Sequence, residues 1–189
     1  MFQWLFGKSN KATRAEDSVW MSSPARLKGV RLEVERFVSQ NRSVVIVALT
    51  LPALEELARE LVQHQPVLCR DVFGHIDLRG QMARGATVAV ALAGALPAEV
   101  TPGTNIQVEI LVYGRHDTRA ADESILRFAD LLGPSARVTF HLSLDDTMLK
   151  DYTGSLKPLL ARLNFSEEEA MSSPMVTRAI VRIQSKKAS

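Results

Sequence analysis

The sequence SVVIVAL at residues 43–49 decides the fold class of this chain. It is an uninterrupted apolar run rich in β-branched residues, which is typical of a strand buried on both faces of a parallel sheet. Similar apolar runs recur along the chain, and segments with helical spacing of apolar residues lie between them. Strands that alternate with helices in this way predict β-α units with right-handed crossovers. We therefore predict an α/β fold with a mainly parallel β-sheet and helices on both faces.

The predicted elements follow this pattern for most of the chain. Four further strands are expected at residues 66–72, 86–92, 106–113 and 138–144. Helices are expected at residues 24–41, 51–63, 78–84 and 120–132. After Asp145 the pattern predicts helices only, at residues 148–164 and 168–187. We predict three regions: an N-terminal amphipathic segment at 1–15, an α/β domain at 16–145 and a C-terminal helical extension at 146–189.

Composition excludes several classes of protein. The chain has 189 residues, of which 46% are hydrophobic and 23% charged, as in ordinary globular domains. Its net charge of +2 does not favour nucleic-acid binding, and no apolar run approaches the length of a membrane span. Cys69 is the single cysteine, so a disulfide framework is excluded. With no secretory pattern at the N-terminus, we expect a cytoplasmic protein.

The N-terminal segment carries clustered aromatic residues, and two interpretations of it stay open. The aromatic side chains dock on a protein surface or fray, or the segment is a short amphipathic anchor at the inner face of the cell membrane. In the second case, binding would be weak and reversible. The candidate membrane-contact residues are Phe2, Trp4, Leu5, Phe6 and Lys8.

Two short motifs have the appearance of nucleotide-binding elements. Gly7-Lys8-Ser9 matches the end of a phosphate-binding loop, but Phe2 stands where that loop needs a glycine, and no strand precedes it. Asp145-Asp146 has the position of a magnesium-holding acidic pair after a strand. Without a phosphate loop, we interpret this pair as acidic residues at a helix N-terminus.

No other pattern in the sequence indicates a metal or catalytic site. The four histidines have no metal-ligand spacing with one another, with the cysteine or with carboxylates. A nucleophile elbow of the G-x-S-x-G type is absent. The histidines are His64, His75, His116 and His141.

The C-terminal half contains a series of spaced motifs. They are RHDTR at residues 115–119, FHLSLDD at 140–146 and SPMVTRAI at 173–180. Over residues 16–187 the chain resembles the second nucleotide-binding domain of the SecA preprotein translocase ATPase and the start of its helical scaffold. SecA motors have R-H-E-S-R-R-I-D, then R-F-(F/Y)-L-S-x-E-D at the same spacing, and later H-P-(L/M)-V-(S/T)-R-A-I. The resemblance implies a RecA-like fold.

The departures from the family pattern lie in its catalytic motifs. The family's arginine-rich motif, Q-L-R-G-R-S-G-R-Q-G, has Leu126, Phe128 and Leu131 here in place of its arginines, and Arg127 is one place out of register. The preceding A-T-N-M-A-G-R-G-T-D-I is replaced by ALAGALPAE at residues 91–99. In helical spacing, the apolar residues of 124–132 predict a continuous packed helix. The resemblance therefore implies a degenerate motor domain that is not an enzyme and has no catalytic residues.

Two functions are compatible with this resemblance. The first is a non-catalytic module that interacts with a protein partner, SecA or the translocase, without nucleic acid. The alternative is a half-motor, in which Arg115, Arg119 and Arg127 complete an ATPase site on a separate subunit that carries the phosphate loop. We expect neither a metal nor a resident cofactor, and weak binding of ATP or ADP stays open.

The family signature in this chain is a polar cluster. It consists of Arg115, His116, Asp117, Arg119 and Asp122. These residues form either a ligand site or a buried polar knot that ties the fourth predicted strand to the next helix. We favour the structural interpretation.

Overall fold

The computed structural model describes residues 11–82, 84, 86–97, 107–149, 166, 169–172 and 174–187. The strands in this part of the chain are β1 Thr13–Arg14, β2 Ser18–Trp20, β3 Ser43–Ala48, β4 Val67–Cys69, β5 Val88–Leu92, β6 Val108–Tyr113, β7 Ala136–Ser143 and β8 Met171–Ser172. The helices are α1 Ser23–Ser39, α2 Leu51–Glu60, α3 Val72–Met82, α4 Arg119–Leu132 and α5 Pro174–Lys187.

All the described strands belong to one sheet, in the order β4-β5-β3-β6-β7-β2-β8, and β1 pairs with β7 ahead of β2. Every pairing is parallel except that of β2 with β8. Local signals start the first two helices. The Ser22 and Thr50 hydroxyls cap α1 and α2, and a proline occupies the first turn of each. The predicted α/β fold with a mainly parallel sheet is confirmed.

The sheet separates two hydrophobic cores because its side chains alternate between faces. In β3, Val45 and Val47 belong to the core covered by α3, α4 and α5. The intervening Val44, Ile46 and Ala48 belong to the core covered by α1 and α2. Every residue of β3 is buried, so its uninterrupted apolar sequence matches its position inside a covered sheet.

The predictions for the central strands and for most of the helices are confirmed. The strand expected at residues 66–72 is shorter, since β4 ends at Cys69 and α3 begins at Val72 rather than at residue 78. The Asp71 side chain accepts a hydrogen bond from the Gly74 amide at 3.3 Å, which starts the helix early. Gly74 and Gly80 lower the helix propensity of this segment, and this obscured its pattern.

The expectation of helices alone after Asp145 is wrong. Met171 and Ser172 form β8, which pairs with β2 in the main sheet, and α5 begins at Pro174 instead of residue 168. Val176 and Ile180 of α5 are buried in the same core as α4. The C-terminal residues therefore contribute to the sheet and core of the α/β domain. Of the helix predicted at 148–164, residues 150–164 lie outside the described part.

β1 and β2, which the sequence pattern did not predict, lie before residue 43 along the outer edge of β7. Their registers differ. Thr13 pairs with Arg137 and Ser18 with His141, so five residue steps on this edge match four steps on β7. The extra residue on this edge forms a β-bulge between β1 and β2. It changes which side chains point inward, and Asp17 within it is buried.

Helix α1 lies close to the sheet edge because Gly29 leaves room for an aromatic ring. A Cβ atom at Gly29 would stand 1.9 Å from the Cη2 atom of Trp20. The Trp20 indole donates a hydrogen bond to Nδ1 of His141 at 3.3 Å, and the two rings are stacked. The His141 side chain is completely buried, and its Nε2 is 3.7 Å from a carboxylate oxygen of Glu33 on α1.

We expect Gly29→Ala to destabilise the fold by about 2 kcal/mol or more, because the added methyl group overlaps the Trp20 ring. Gly80→Ala is the matched control, since nothing lies within 4 Å of a Cβ at this other helical glycine. The control should be neutral or stabilising by up to about 1 kcal/mol through helix propensity. Urea unfolding followed by circular dichroism measures both. Equal effects of the two substitutions would contradict the proposed packing.

Burial, together with the charge of Arg26, lowers the pKa of His141 from 6.5 to about 3. The unfolded chain therefore binds a proton near pH 6.5 that the folded chain does not bind. Stability from the neutral ring is fully present above pH 6.5 and is lost as the pH falls toward 3. Between pH 7 and 5.5, the free energy of unfolding should fall about 1 kcal/mol more in the native chain than in His141→Asn.

Urea titrations of both proteins at the two pH values test this expectation. Burial raises the pKa values of Glu33 and Glu109, which makes stability rise as the pH falls, but both residues are present in the two proteins. The comparison therefore isolates the histidine. Parallel pH dependences of the two proteins would contradict a neutral buried His141.

Candidate functional site

The candidate site begins where β6 ends. Gly114 has a φ of +112°, a left-handed value that side chains disfavour. A Cβ at this position would also lie 3.1 Å from Leu49 Cδ1. The Gly114 amide donates to the His141 carbonyl oxygen at 2.9 Å, which ties the turn to β7. The turn directs the next residue, Arg115, toward the edge formed by β1 and β2.

Arg115 lies between two buried carboxylates. Its Nη2 is 2.8 Å from both carboxylate oxygens of Asp17, and its Nη1 is 3.0 Å from Oδ2 of Asp122. The exposed fractions of the three side chains are 5%, 1% and 4% in the order Arg115, Asp17 and Asp122. The guanidinium carbon is 3.7 Å from the centre of the Phe140 ring on β7, which adds a cation–π contact.

Further donors satisfy the two carboxylates. Asp122 accepts hydrogen bonds from the His116 amide at 3.1 Å and from the Gln184 side chain at 2.7 Å. Asp17 accepts one from the Thr177 hydroxyl at 3.0 Å. We call Asp17, Arg115, Asp122, Thr177 and Gln184 the ion-pair cluster. It joins the β1–β2 bulge, the end of β6, the first turn of α4 and helix α5.

The ion-pair cluster is costly to disturb because its charges are out of water. Removal of one partner from a buried ion pair leaves an uncompensated charge, which destabilises proteins by about 3–5 kcal/mol. Nε of Arg115 has no hydrogen-bond partner among the described residues, so the guanidinium depends on its two carboxylates and the Phe140 ring. This arrangement holds segments together and leaves little of Arg115 accessible to a ligand.

The structure brings together part of the predicted signature. Arg115 and Asp122 meet directly, and His116 contributes its backbone amide and carbonyl groups, the latter accepting from Gln184 at 2.8 Å. Asp117 is exposed. The Arg119 side chain is 76% exposed and pairs with Glu123 on the surface of α4.

Three residues of the ion-pair cluster, Asp17, Thr177 and Gln184, were not predicted from the sequence as members of the site. Asp17 lies in a bulge that has no sequence pattern of its own. Gln184 had a detectable signal: it is the polar residue at helical spacing after Val176 and Ile180, and all three are buried. A polar side chain in the apolar stripe of a helix indicates a buried hydrogen-bond partner.

The acidic pair Asp145-Asp146 binds the first turn of helix α1. The Asp145 carboxylate accepts from the Ser23 amide at the start of α1, at 2.8 Å. Asp146 binds the Arg26 guanidinium of the same helix at 2.8 Å. The interpretation as helix N-terminal acids assigned the pair to the helix predicted directly after it, most of which lies outside the described residues. In the described residues only a short 3₁₀ turn follows the pair, and the helix whose N-terminus it stabilises is α1, far earlier in the chain.

The segments that depart from the SecA pattern have ordinary packed structures. Residues 124–132 lie within the continuous helix α4, where Ile125, Phe128 and Leu132 are buried. Arg127 is exposed, and its Nε donates to the Glu123 carbonyl oxygen at 3.4 Å. At the end of β5, residues 93–95 form a 3₁₀ turn, and residues 98 and 99 lie outside the described part.

Some predicted features lie beyond these residues or have no counterpart among them. The candidate membrane contacts Phe2, Trp4, Leu5, Phe6 and Lys8 are outside the described part of the chain. Within that part, no group of three or more histidine, cysteine or acidic residues could hold a metal ion. None of its helices combines the length and apolar character needed to cross a membrane.

We expect Arg115→Gln to destabilise the fold by about 3–5 kcal/mol, because two buried carboxylates lose their cation. Arg119→Gln is the matched control in the same signature. Its exposed ion pair should contribute less than about 0.5 kcal/mol. Urea unfolding at pH 7 measures both. A loss below 1 kcal/mol for Arg115→Gln would show that the ion-pair cluster does not hold the fold together.

Comparison with curated proteins finds SecA proteins among the relatives of this chain, although no protein-family model matches it. It is 23% identical over 182 residues to the protein translocase subunit SecA of Desulfotalea psychrophila, covering 90% of this chain and 21% of the relative. The SecA of Campylobacter fetus is 24% identical, with 93% of this chain and 22% of the relative covered. The chain thus spans about a fifth of the length of these relatives.

Solved structures support the same fold. The DEAD-box helicase Mss116, bound to ssRNA and UDP-BeF, matches with a TM-score of 0.52 at 12% identity, over 94% of this chain and 36% of the helicase. The C-terminal part of the Fun30 ATPase domain matches with a TM-score of 0.51 at 11% identity, over 86% of this chain and 54% of that structure. The resemblance to SecA is confirmed: this chain is similar in sequence to a segment of SecA, and it has a RecA-like fold.

Proposed function

We propose that this chain is a non-catalytic SecA-like module that acts through protein contacts, as an interaction or regulatory factor linked to preprotein translocation. The structure of α4 carries the proposal. The segment that matches the family's arginine-rich motif is here a continuous helix with Ile125, Phe128 and Leu132 packed into the core. A packed helix of this kind does not present a row of arginines to the phosphates of a nucleotide.

The surroundings of Arg115 support the same conclusion. This residue begins the family signature, but its guanidinium is engaged by Asp17 and Asp122 and is 5% exposed. An arginine that stabilises a phosphoryl-transfer transition state must reach the transferred group. Arg115 could do so only if the ion-pair cluster opened, at the cost of leaving two buried carboxylates unpaired.

The partner class follows from the relatives. The curated relatives are named as protein translocase subunits, so the proposed partner is SecA or another component of the translocase. A module that keeps the shape of a motor domain can occupy the surface on which that domain normally docks. Such a role needs no cofactor and no nucleic acid, and it places the chain in the cytoplasm with peripheral contact at the membrane.

The alternative is a half-motor that completes an ATPase site on another subunit. One observation favours it: Arg119 and Arg127 both lie on the exposed surface of α4, where a partner could meet them. Arg119 is paired with Glu123, and the Arg127 guanidinium donates only to a backbone carbonyl of its own helix in the described residues. Two such arginines could supply cationic contacts to a nucleotide held by a partner.

The interaction role predicts that the immobilised chain captures SecA from the host's extract. Capture should be measured by quantitative blotting at about 50 mM salt in the presence of membranes, and again with the purified partner. The chain alone should hydrolyse no ATP. The control for non-specific adsorption is a urea-denatured chain that has been transferred back to buffer without regaining its fold. Failure to recover SecA or any translocase component under these conditions would contradict the proposal.

ATPase measurements on mixtures of the same proteins distinguish the two functions. Under the interaction role, mixing the chain with a subunit that carries a phosphate loop creates no new ATPase activity. Under the half-motor role, mixing creates activity that Arg127→Gln removes. Arg59→Gln is a matched control, because the Arg59 Nε also donates to a carbonyl one turn earlier, at 3.3 Å, but on α2 across the sheet. Activity lost in Arg127→Gln and kept in Arg59→Gln would establish the alternative.

A further inference from the structure

The outer side of helix α5 carries a line of positive charges. Arg178, Arg182 and Lys186 follow one another at intervals of four residues, and all three are exposed. Four residues make about one turn of a helix, so the three side chains lie along one side of α5. The opposite side is buried, because Val176 and Ile180 belong to the core. We call Arg178, Arg182 and Lys186 the basic row, and it faces away from the protein.

The charges of the basic row are not balanced within its own helix. The sequence of α5 contains four cations and no acidic residue. Within the described ranges, no residue forms an ion pair with a member of the row. Glu16 lines a cleft together with Arg178 and offsets part of its charge, but Arg182 and Lys186 do not line that cleft. The second half of α5 therefore has a surplus of positive charge.

The basic row weakens the helix that carries it. Cations one turn apart repel each other, and like charges at this spacing destabilise a helix. Helices α1 and α4 combine opposite charges at the same spacing, in the pairs Arg31–Glu35 and Arg119–Glu123. The helix dipole favours cations in the last turn of α5 but not Arg178, which lies in the second turn. Stability of the helix therefore does not explain the row.

We propose that the basic row binds an acidic helix of a protein partner, in which carboxylates recur at the same four-residue interval. Helices commonly pack by fitting rows of side chains spaced four residues apart into the grooves of another helix. Carboxylates at this interval stand opposite the three cations. Val181 is 53% exposed beside the row and adds an apolar contact. The inference rests on the proposed function in one respect, which is that the occupant belongs to a protein partner.

Two other anionic occupants fit α5 less well. A helix binds a lipid interface by burying its apolar face there, and the apolar face of α5 is already buried in the core. Single-stranded nucleic acids are bound with the help of aromatic side chains that stack on the bases, and α5 contains no aromatic residue. The small net charge of the chain, +2, also disfavours a nucleic acid.

Nuclear magnetic resonance titration of the full, isotope-labelled chain tests the proposal, because it detects weak binding and locates it. The ligand is an alanine-based helical peptide with three glutamates spaced four residues apart. At low salt it should bind saturably and shift the signals of α5 around Arg182. A peptide of the same composition, with its glutamates spread around the helix, should bind roughly threefold more weakly or less, because its carboxylates cannot all face the row.

Exchange of charge across the contact tests the row itself. The double variant Arg182→Glu/Lys186→Glu should bind the glutamate peptide roughly tenfold more weakly, because two attractions become repulsions. It should gain affinity for the matching peptide with three lysines, which also shows that the variant is folded. Arg59→Glu/Arg84→Glu is the matched control, since it changes the net charge equally at exposed residues outside α5. The control should bind the glutamate peptide like the native chain.

The proposal is overturned if the two glutamate peptides bind equally, if the two double variants behave alike, or if the signal shifts lie outside α5. It is also overturned if the glutamate peptide does not bind. Vesicles of phosphatidylserine and a single-stranded DNA are tested in parallel. Binding of either one that is lost in Arg182→Glu/Lys186→Glu, without binding of the peptide, would identify a different occupant of the row.

The capture experiment separates this inference from the proposed function. Equal recovery of SecA by the native chain and by Arg182→Glu/Lys186→Glu would refute the basic row as the docking site and leave the interaction role intact. Peptide binding that this variant weakens, without recovery of any translocase component, would support the row and refute the proposed partner.

Discussion

The fold depends on one buried cation. Arg115 leaves the end of β6 inside the protein, so its charge must be met by carboxylates that are equally buried. Asp17 supplies one from the sheet edge and Asp122 supplies the other from the first turn of α4. Four segments of the chain must therefore take their positions together, because each contributes a group that is costly to bury alone. The β-bulge before β2 is part of this arrangement, since it turns Asp17 inward.

A second set of polar contacts fixes α1 on the opposite face of the sheet. Asp145 and Asp146, at the end of β7, bind the first turn of α1 through the Ser23 amide and the Arg26 guanidinium. Arg26 also stacks on the Tyr113 ring, with its guanidinium carbon 4.0 Å from the ring centre. Together with the close approach of Gly29 to Trp20, these contacts set the depth of the helix. Both polar sets lie near the carboxyl ends of the strands, where α/β proteins commonly place their functional groups.

The polar residues near the strand ends bear on the proposed function. Arg115 and Arg26, which lie near the strand ends, are both bound by carboxylates of the fold itself. The apolar residues of α4 fill the core, and Arg119 and Arg127 remain exposed on its outer surface. These features support the proposal of an interaction module.

The sequence alone determined the central architecture. The β-branched runs of β3 and β5 and the capped, amphipathic helices carry local signals strong enough to predict the parallel sheet. The spaced motifs around Arg115 and Asp146 indicated the resemblance to SecA. Only the tertiary structure decided which short strands form at the edge of the sheet. Two- and three-residue strands such as β1, β2 and β8 are too short for a periodic pattern, and they form because neighbouring strands pair with them.

The same reason separates the two parts of the ion-pair cluster. Arg115 and Asp122 are seven residues apart, and their motif could be recognised in the sequence. Asp17 and Gln184 lie far away along the chain, and no local spacing relates them to Arg115. Their roles follow from burial, which exists only after the sheet, α4 and α5 have assembled. The sequence thus determined which residues carry the charge, and the tertiary structure decided that the charge holds the fold together, because only a folded chain can exclude water from it.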